Sequence, residues 1–151
     1  METITPTRLQ FKRRDKKKTK LPVLASQFAA GYDLTSDEED FTIHPGEVKI
    51  VNTGIAVVLP ENTVGELHVR SSTGIKLRLN LVNDIGIIDE DYRGWIYATI
   101  INNGNEPQTI QRGQRLFQLV LTEVVRAGLE EVDELPETER NTGATGSTGK
   151  F

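Results

Sequence analysis

The sequence predicts an antiparallel all-β domain, a sandwich or barrel, that ends in a glycine-rich C-terminal tail. Three observations predict it. Short β-branched and aromatic runs recur between clusters of turn residues, and no stretch of about ten residues or more carries a convincing helical period. From Arg140 on, Arg-Asn-Thr-Gly-Ala-Thr-Gly-Ser-Thr-Gly-Lys-Phe holds almost nothing apolar. Such an end cannot bury enough surface to fold by itself, so it is read as a flexible arm over 136–151, attached to a β-domain over 1–135.

Taken in order, Thr7 to Phe11 reads as a first strand. Lys12 to Lys18 then places six cations in seven residues, which resembles a nucleic-acid patch. No aromatics are interleaved after Phe11 and the whole chain is acidic, so a solvated loop is the better reading. Leu21 to Phe28 is extended or irregular. Ala29 to Leu34 begins with small residues where space is tight and continues as a strand. Ser36 to Asp40 is an acidic turn, Phe41 to His44 a short strand, and Pro45-Gly46 a turn. Glu47 to Leu59 breaks at Asn52-Thr53-Gly54, giving a strand pair or one bulged strand. Val64 to Val69 alternates as a strand should. Arg70 to Gly74 interrupts it, and Ile75 to Leu79 forms one helical turn or another short strand. Trp95 to Ile101 is strongly β-forming, Asn102 to Pro107 is a turn, Thr109-Ile110 is short, and Arg115 to Val125 is a long strand.

Length and composition narrow the possibilities. With 151 residues, 36% hydrophobic and 26% charged, the chain suits one ordinary core. A net charge of −4 and a pI near 5.3 give no general attraction to nucleic acid or acidic lipid, so no stable nucleic-acid binding is expected. Cysteine is absent, which removes disulfides, thiolate ligands and cysteine nucleophiles together. The two histidines, His44 and His68, are too few for a histidine-rich metal site. Neither a leader-like N-terminus nor a membrane span is visible, so an intracellular, cytoplasmic, soluble protein is expected.

The chain is organised around Gly86-Ile87-Ile88-Asp89-Glu90-Asp91-Tyr92-Arg93-Gly94, read as a β-hairpin with a charged tip. Strict alternation would place Asp89 and Tyr92 on opposite faces. They share a site only if the turn breaks the alternation, with Gly94 free to take positive φ where the second strand begins. Three further segments suit phosphate. Arg70-Ser71-Ser72-Thr73-Gly74 offers a guanidinium and three hydroxyls, Gly113 to Gln118 offers Gln118 from inside a strand, and the tail offers Arg140 with a glycine-rich anion nest over Gly146 to Gly149.

These segments come in the order of five motifs, and in that order the chain resembles the trimeric dUTP diphosphatase family. The motifs are Ala30 to Leu34, Arg70 to Ser72, Asn83 through Gly86 to Gly94, Gly113 to Gln118, and Arg140 to Gly149. The resemblance covers about residues 7 to 149, and the third motif is the most specific. It implies a jelly-roll subunit in a symmetric homotrimer whose active sites are shared between chains. It also implies hydrolysis of dUTP to dUMP and pyrophosphate, with Mg²⁺ carried on the triphosphate.

The same resemblance implies a role for each residue. Asp89 activates the water that attacks the α-phosphorus. Tyr92 lies against the deoxyribose and excludes a 2′-hydroxyl, while Asn83 and the backbone around Gly86 and Ile88 pair with uracil. Asp33 holds water on the metal. Arg70, Ser71, Ser72 and Gln118 hold phosphates, and Arg140, Ser147 and Thr148 close over the γ end. Elementary chemistry is compatible: a carboxylate accepts a proton from water beside a metal-loaded phosphate, and fixed backbone groups leave cytosine with mismatched donors.

The fifth motif departs from the family's usual Arg-Gly-x-Gly-Gly-Phe-Gly-Ser. Asn141, Ala144 and Thr145 stand at its second, fifth and sixth places, so the aromatic that should stack on uracil is missing. Base stacking is worth about 1 to 3 kcal/mol, which predicts a looser closure and a poorer enzyme unless Phe151 substitutes. Two alternatives remain open. A dCTP deaminase shares the fold but needs a glutamate where this chain has Thr99. A nucleotide-gated regulatory protein, docking on a protein partner, would use the variant tail and the Lys12 to Lys18 segment.

Overall fold

The computed structural model describes residues 7–151; Met1 to Pro6, on which the expectation about a leader rests, lie outside the described residues. The chain forms β1 (Gln10–Arg13), β2 (Val23–Leu24), β3 (Gly31–Thr35), β4 (Phe41–Ile43), β5 (Val48–Asn52), β6 (Ile55–Val58) and β7 (Thr63–Val69). A short helix, α1 (Ser71–Ile75), the only one among the described residues, follows, and then β8 (Leu79–Leu81), β9 (Gly86–Ile88), β10 (Tyr97–Asn102), β11 (Gln108–Ile110) and β12 (Arg115–Glu123). All strand pairings are antiparallel. The five-stranded sheet has the order β2-β3-β12-β7-β9, the three-stranded sheet β5-β10-β8, and two-stranded ribbons pair β1 with β6 and β11 with β4. This is the all-β, jelly-roll-like architecture expected.

Alternation explains the core. On β12, Phe117 and Leu119 are fully buried, and their cross-strand neighbours Leu34 on β3 and Leu67 on β7 are buried with them. Ile43 and Ile100 close the same core from the other strands. The opposite face of the five-stranded sheet carries Asp33, Gln118 and His68 side by side in register. One strand-by-strand alternation thus separates the packing face from a polar face.

Four expectations are corrected. First, β9 and β10 do not form a hairpin: β9 pairs only with β7, and β10 pairs with β5 and β8. The acidic tip is therefore a crossover between two sheets, a connection that period-two patterning cannot distinguish from a hairpin. Second, Glu47 to Leu59 makes two strands that pair with other partners and not with each other. Third, the helical turn begins at Ser71, earlier than expected, because Thr73 donates to the Leu116 carbonyl at 2.8 Å and the Arg70 N–H to the same oxygen at 2.9 Å.

The fourth correction concerns the cationic segment and the acidic turn, which are not simply solvated. Lys12 and Arg13 belong to β1, and the Arg14 guanidinium lies 2.8 Å from Asp37. Asp37 is 2% exposed. It also takes Arg112 at 3.2 Å and the Thr19 hydroxyl at 3.1 Å. A carboxylate this deep is tolerable only with such partners; stripping one away typically costs about 3–5 kcal/mol.

After Glu123 no helix or strand forms, and the segment to Phe151 is almost wholly exposed. Among the described residues, no helix is long and apolar enough to cross a membrane.

Candidate active site

The acidic crossover closes on itself. The Tyr92 N–H donates to the Asp89 carbonyl at 3.0 Å, making the turn that breaks the alternation, and the Tyr92 hydroxyl donates to the Trp95 carbonyl at 3.0 Å. Arg93 braces the bend through the Glu90 carbonyl at 2.8 Å. Gly94 is needed for space and not for positive φ: a Cβ there would fall on the Tyr92 phenol ring. Asp89 and Tyr92 consequently line one cavity of about 210 Å³, together with Asn83, Gly86, Ile88 and Tyr97. β9 is the last strand of its sheet, so one edge of Gly86–Ile88 has no strand partner and its N–H and C=O groups are free to pair with a ligand. Gly86 brings this strand against Leu67, whose Cβ would be 3.0 Å from any added Cβ.

A neighbouring hollow of about 300 Å³ shares Asn83, Gly86 and Tyr97 and is also lined by Thr99. No carboxylate lines it. Glu90 turns away from both cavities, to Arg126 at 2.9 Å and the Asn62 N–H at 3.1 Å.

A second cluster forms where β3, β12 and the end of β7 meet. Arg70 Nε lies 3.4 Å from Asp33 Oδ1, and Arg115 Nη1 lies 3.6 Å from Asp33 Oδ2. Gln118 Nε2 donates to the Val69 carbonyl at 3.4 Å. Arg70, Ser72, Lys76, Gln114 and Arg115 line an open hollow of about 410 Å³. Three cations and a hydroxyl around one hollow favour a polyanion. Ser71 stands exposed at the start of α1 beside it. Lys76 and Arg115 were not singled out as ligands from the sequence, although Arg115 stands inside the fourth motif.

Asp33 Oδ2 is buried and has no hydrogen-bond partner, since 3.6 Å to Arg115 is too long for one. Among the described residues no group of three or more His, Asp or Glu side chains gathers to hold a metal directly. A lone carboxylate with a spare buried oxygen fits a metal-bound water, and does not fit a cation held by the protein alone.

The tail joins neither cluster. Arg140 Nε donates to the Gly143 carbonyl at 2.9 Å, Ser147 N–H to the Ala144 carbonyl at 2.9 Å, and Thr138 and Asn141 exchange two bonds. Arg140, Ser147, Thr148 and Phe151 are exposed. Asn141 adopts φ +44°, the left-handed region that asparagine tolerates better than most residues. The departure from glycine at that place therefore leaves the bend intact.

A jelly-roll fold with a base-sized cavity at a free strand edge and a separate cationic hollow defines a nucleotide-binding protein of the β class. The family model for dUTPase matches residues 17–149. A deoxyuridine 5'-triphosphate nucleotidohydrolase of Caldanaerobacter subterraneus subsp. tengcongensis is 43% identical over 143 residues, covering 93% of this chain and 97% of that protein. The protein of the same name from Rickettsia bellii is 38% identical over 98% of this chain and 99% of its own length. Among solved structures, a mutant dUTPase of Staphylococcus bacteriophage 80alpha with dUpNHpp superposes with a TM-score of 0.86 at 27% identity, covering 95% of this chain and 99% of that one. A mutant dUTPase of phage phi11, described with a structural Mg(II) ion, gives 0.77 at 26% identity over 84% of this chain and 97% of that one. The chain belongs to the dUTPase family.

Proposed function

We propose that the chain hydrolyses dUTP to dUMP and pyrophosphate, with Asp89 as the base. The observation that carries this reading is the cavity in which Asp89, Tyr92 and the unpaired edge of Gly86–Ile88 meet. The free edge and Asn83 pair with uracil, and the Tyr92 ring packs on the deoxyribose, leaving a 2′-hydroxyl no room. The Asp89 carboxylate takes a proton from water as its oxygen bonds to the α-phosphorus. The bond from that phosphorus to the bridging oxygen breaks, and pyrophosphate leaves with the electron pair.

Arg70, Ser71, Ser72 and Gln118 bind the phosphates. The spare oxygen of Asp33 supports a water-mediated hold on Mg²⁺ that arrives with the triphosphate, and the ion supplies charge neutralisation there. Arg140, Ser147 and Thr148 close over the γ-phosphate once the tail reaches a site.

The reading includes a homotrimer with shared sites, and two features support it. No residue lines both the Asp89 cavity and the Arg70 hollow. The outer face of the three-stranded sheet also exposes Val48, Ile50, Val82 and Tyr97, each more than half accessible, a patch suited to another copy. The Thr99 hollow without a carboxylate weighs against deamination of dCTP.

The deciding experiment is pyrophosphate release from dUTP beside dTTP, dCTP and UTP. Release from dUTP at least about a hundredfold faster than from the others is expected, since buried polar groups left unpaired discriminate by that much or more. Ammonia release from dCTP, or equal rates on all four, would overturn the reading.

A further inference from the structure

We infer that Asp37, a buried carboxylate outside the reaction, is a positioning residue for the phosphate end of the site. It fixes the turn before β12, and through that turn Gln114 and Arg115, against Arg70 and Asp33. The inference rests on the reading above that this end receives the triphosphate.

The carboxylate is enclosed on every side that matters. Oδ2 accepts from Arg14 Nε at 3.0 Å and from the Thr19 hydroxyl at 3.1 Å, and Oδ1 accepts from Arg112 Nη2 at 3.2 Å. Gly54, at φ +69°, forms the wall: a Cβ there would lie 2.7 Å from Thr19 Cγ2 and 2.8 Å from Asp37 Cγ. Arg112 Nε is buried without a partner, so this guanidinium depends on Asp37 for its placement.

The path from there into the hollow is short. Gly113 N–H donates to the Ser36 carbonyl at 2.8 Å, and Ser36 N–H to the Gln114 carbonyl at 3.0 Å. The turn is thus held at three points, by the backbone of Ser36, by Asp40, whose Oδ1 accepts from the Arg112 N–H at 2.9 Å, and by Asp37, which alone among them fixes the Arg112 guanidinium. Gln114 and Arg115 then line the hollow with Arg70, Ser72 and Lys76. Arg115 faces Asp33 at 3.6 Å, and its carbonyl accepts from Arg70 Nη1 at 3.4 Å. Replacing the carboxylate by an amide keeps the shape but leaves two guanidiniums unneutralised, which frees the turn to shift. Because Gln114 and Arg115 hold the phosphates and do not touch the reacting atoms, the shift loosens binding of that end and leaves the chemical step in place. The Asp89 cavity shares none of these residues, so the loss falls on one end of the ligand.

The test uses the full chain with Asp37→Asn and Arg112→Gln. It measures kcat and KM for dUTP, and by calorimetry or NMR titration the affinities for magnesium tripolyphosphate and for deoxyuridine. Both variants are expected to raise KM for dUTP about tenfold and to weaken tripolyphosphate to a similar degree, with kcat and deoxyuridine affinity within about twofold of the parent. Equal weakening of both probes, or unchanged tripolyphosphate binding, would overturn the inference. Should Asp37→Asn not fold, Arg112→Gln decides by the same ratio, because it leaves the Asp37 to Arg14 pair in place. A parent protein that fails to turn over dUTP refutes the proposed function, whereas turnover with unmoved variants refutes only the role of Asp37.

Discussion

The phenol ring of Tyr92 lies where a side chain on Gly94 would have to go, two residues further along the same bend. The ring's place in the Asp89 cavity therefore depends on glycine at 94. Gly94→Ala is expected to lower kcat/KM for dUTP by about tenfold or more and to admit UTP, as Tyr92→Ala should do directly. The UTP-to-dUTP ratio of kcat/KM checks both. An unchanged ratio in Tyr92→Ala would place sugar selection elsewhere.

Asp89 is exposed in the open cavity, with no hydrogen bond from the described residues to its carboxylate, so the group is at hand for a water. Asp89→Asn removes the proton acceptor and little else. Turnover is expected to fall by about a hundred- to ten-thousandfold, the usual span for a lost general base. Deoxyuridine binding, followed by NMR titration, should stay within about twofold.

Ile50, 61% exposed opposite Thr99, sits amid the apolar outer face of the three-stranded sheet. A charge there is tolerable in a monomer and not at a buried interface. Ile50→Asp should convert a trimer to smaller species by analytical ultracentrifugation, with dUTP hydrolysis lost in parallel. A trimeric, active variant would remove this face from the assembly.

Glu66 is held below the usual carboxylate range, first by the Thr122 hydroxyl, which donates at 2.6 Å, and then by His68 at 3.3 Å. A depressed folded value means a contribution present above the ordinary 4.5 and lost as pH falls through the lower folded value. The Tm of the parent should consequently drop more steeply below about pH 4.5 than that of Thr122→Val. Both partners are solvent-facing, so the difference is small. Identical acid limbs would dismiss the contact.

The tail bonds only within itself here, so deleting 140–151 should cost turnover far more than Tm, as compared by kinetics and thermal melting. Thr145→Phe restores an aromatic at the stacking position and should raise kcat/KM by up to about tenfold. No gain would mean that stacking is already supplied, for instance by Phe151, or is not needed.

Legibility in the sequence followed the range of the interactions. Val64 to Val69 and the body of the strand from Arg115 were readable because alternation is local and their cores lie on one face, although the second strand stops at Glu123, two residues short of the expected Val125. The break at Asp89 to Tyr92 was readable from turn residues. What Trp95 to Ile101 pairs with was not, because a crossover and a hairpin carry the same residues and differ only in which distant strand supplies hydrogen bonds. Arg14, Asp37 and Arg112 were invisible as a group for the same reason: separations of 23 and 75 residues leave no periodic trace. Asp33 and Gln118 were recoverable only through motif order, and their meeting across β3 and β12 is a matter of register.

Ile88 and Ile96, which floor the Asp89 cavity, belong to the seam where the two sheets come together. Leu79 and Ile100, fully sequestered in the interior, belong to the same packed cluster as Ile88 and Ile96, so the floor of the cavity is continuous with the core of the domain. A change of bulk in that cluster is thus able to reach the cavity floor without replacing any residue that lines it.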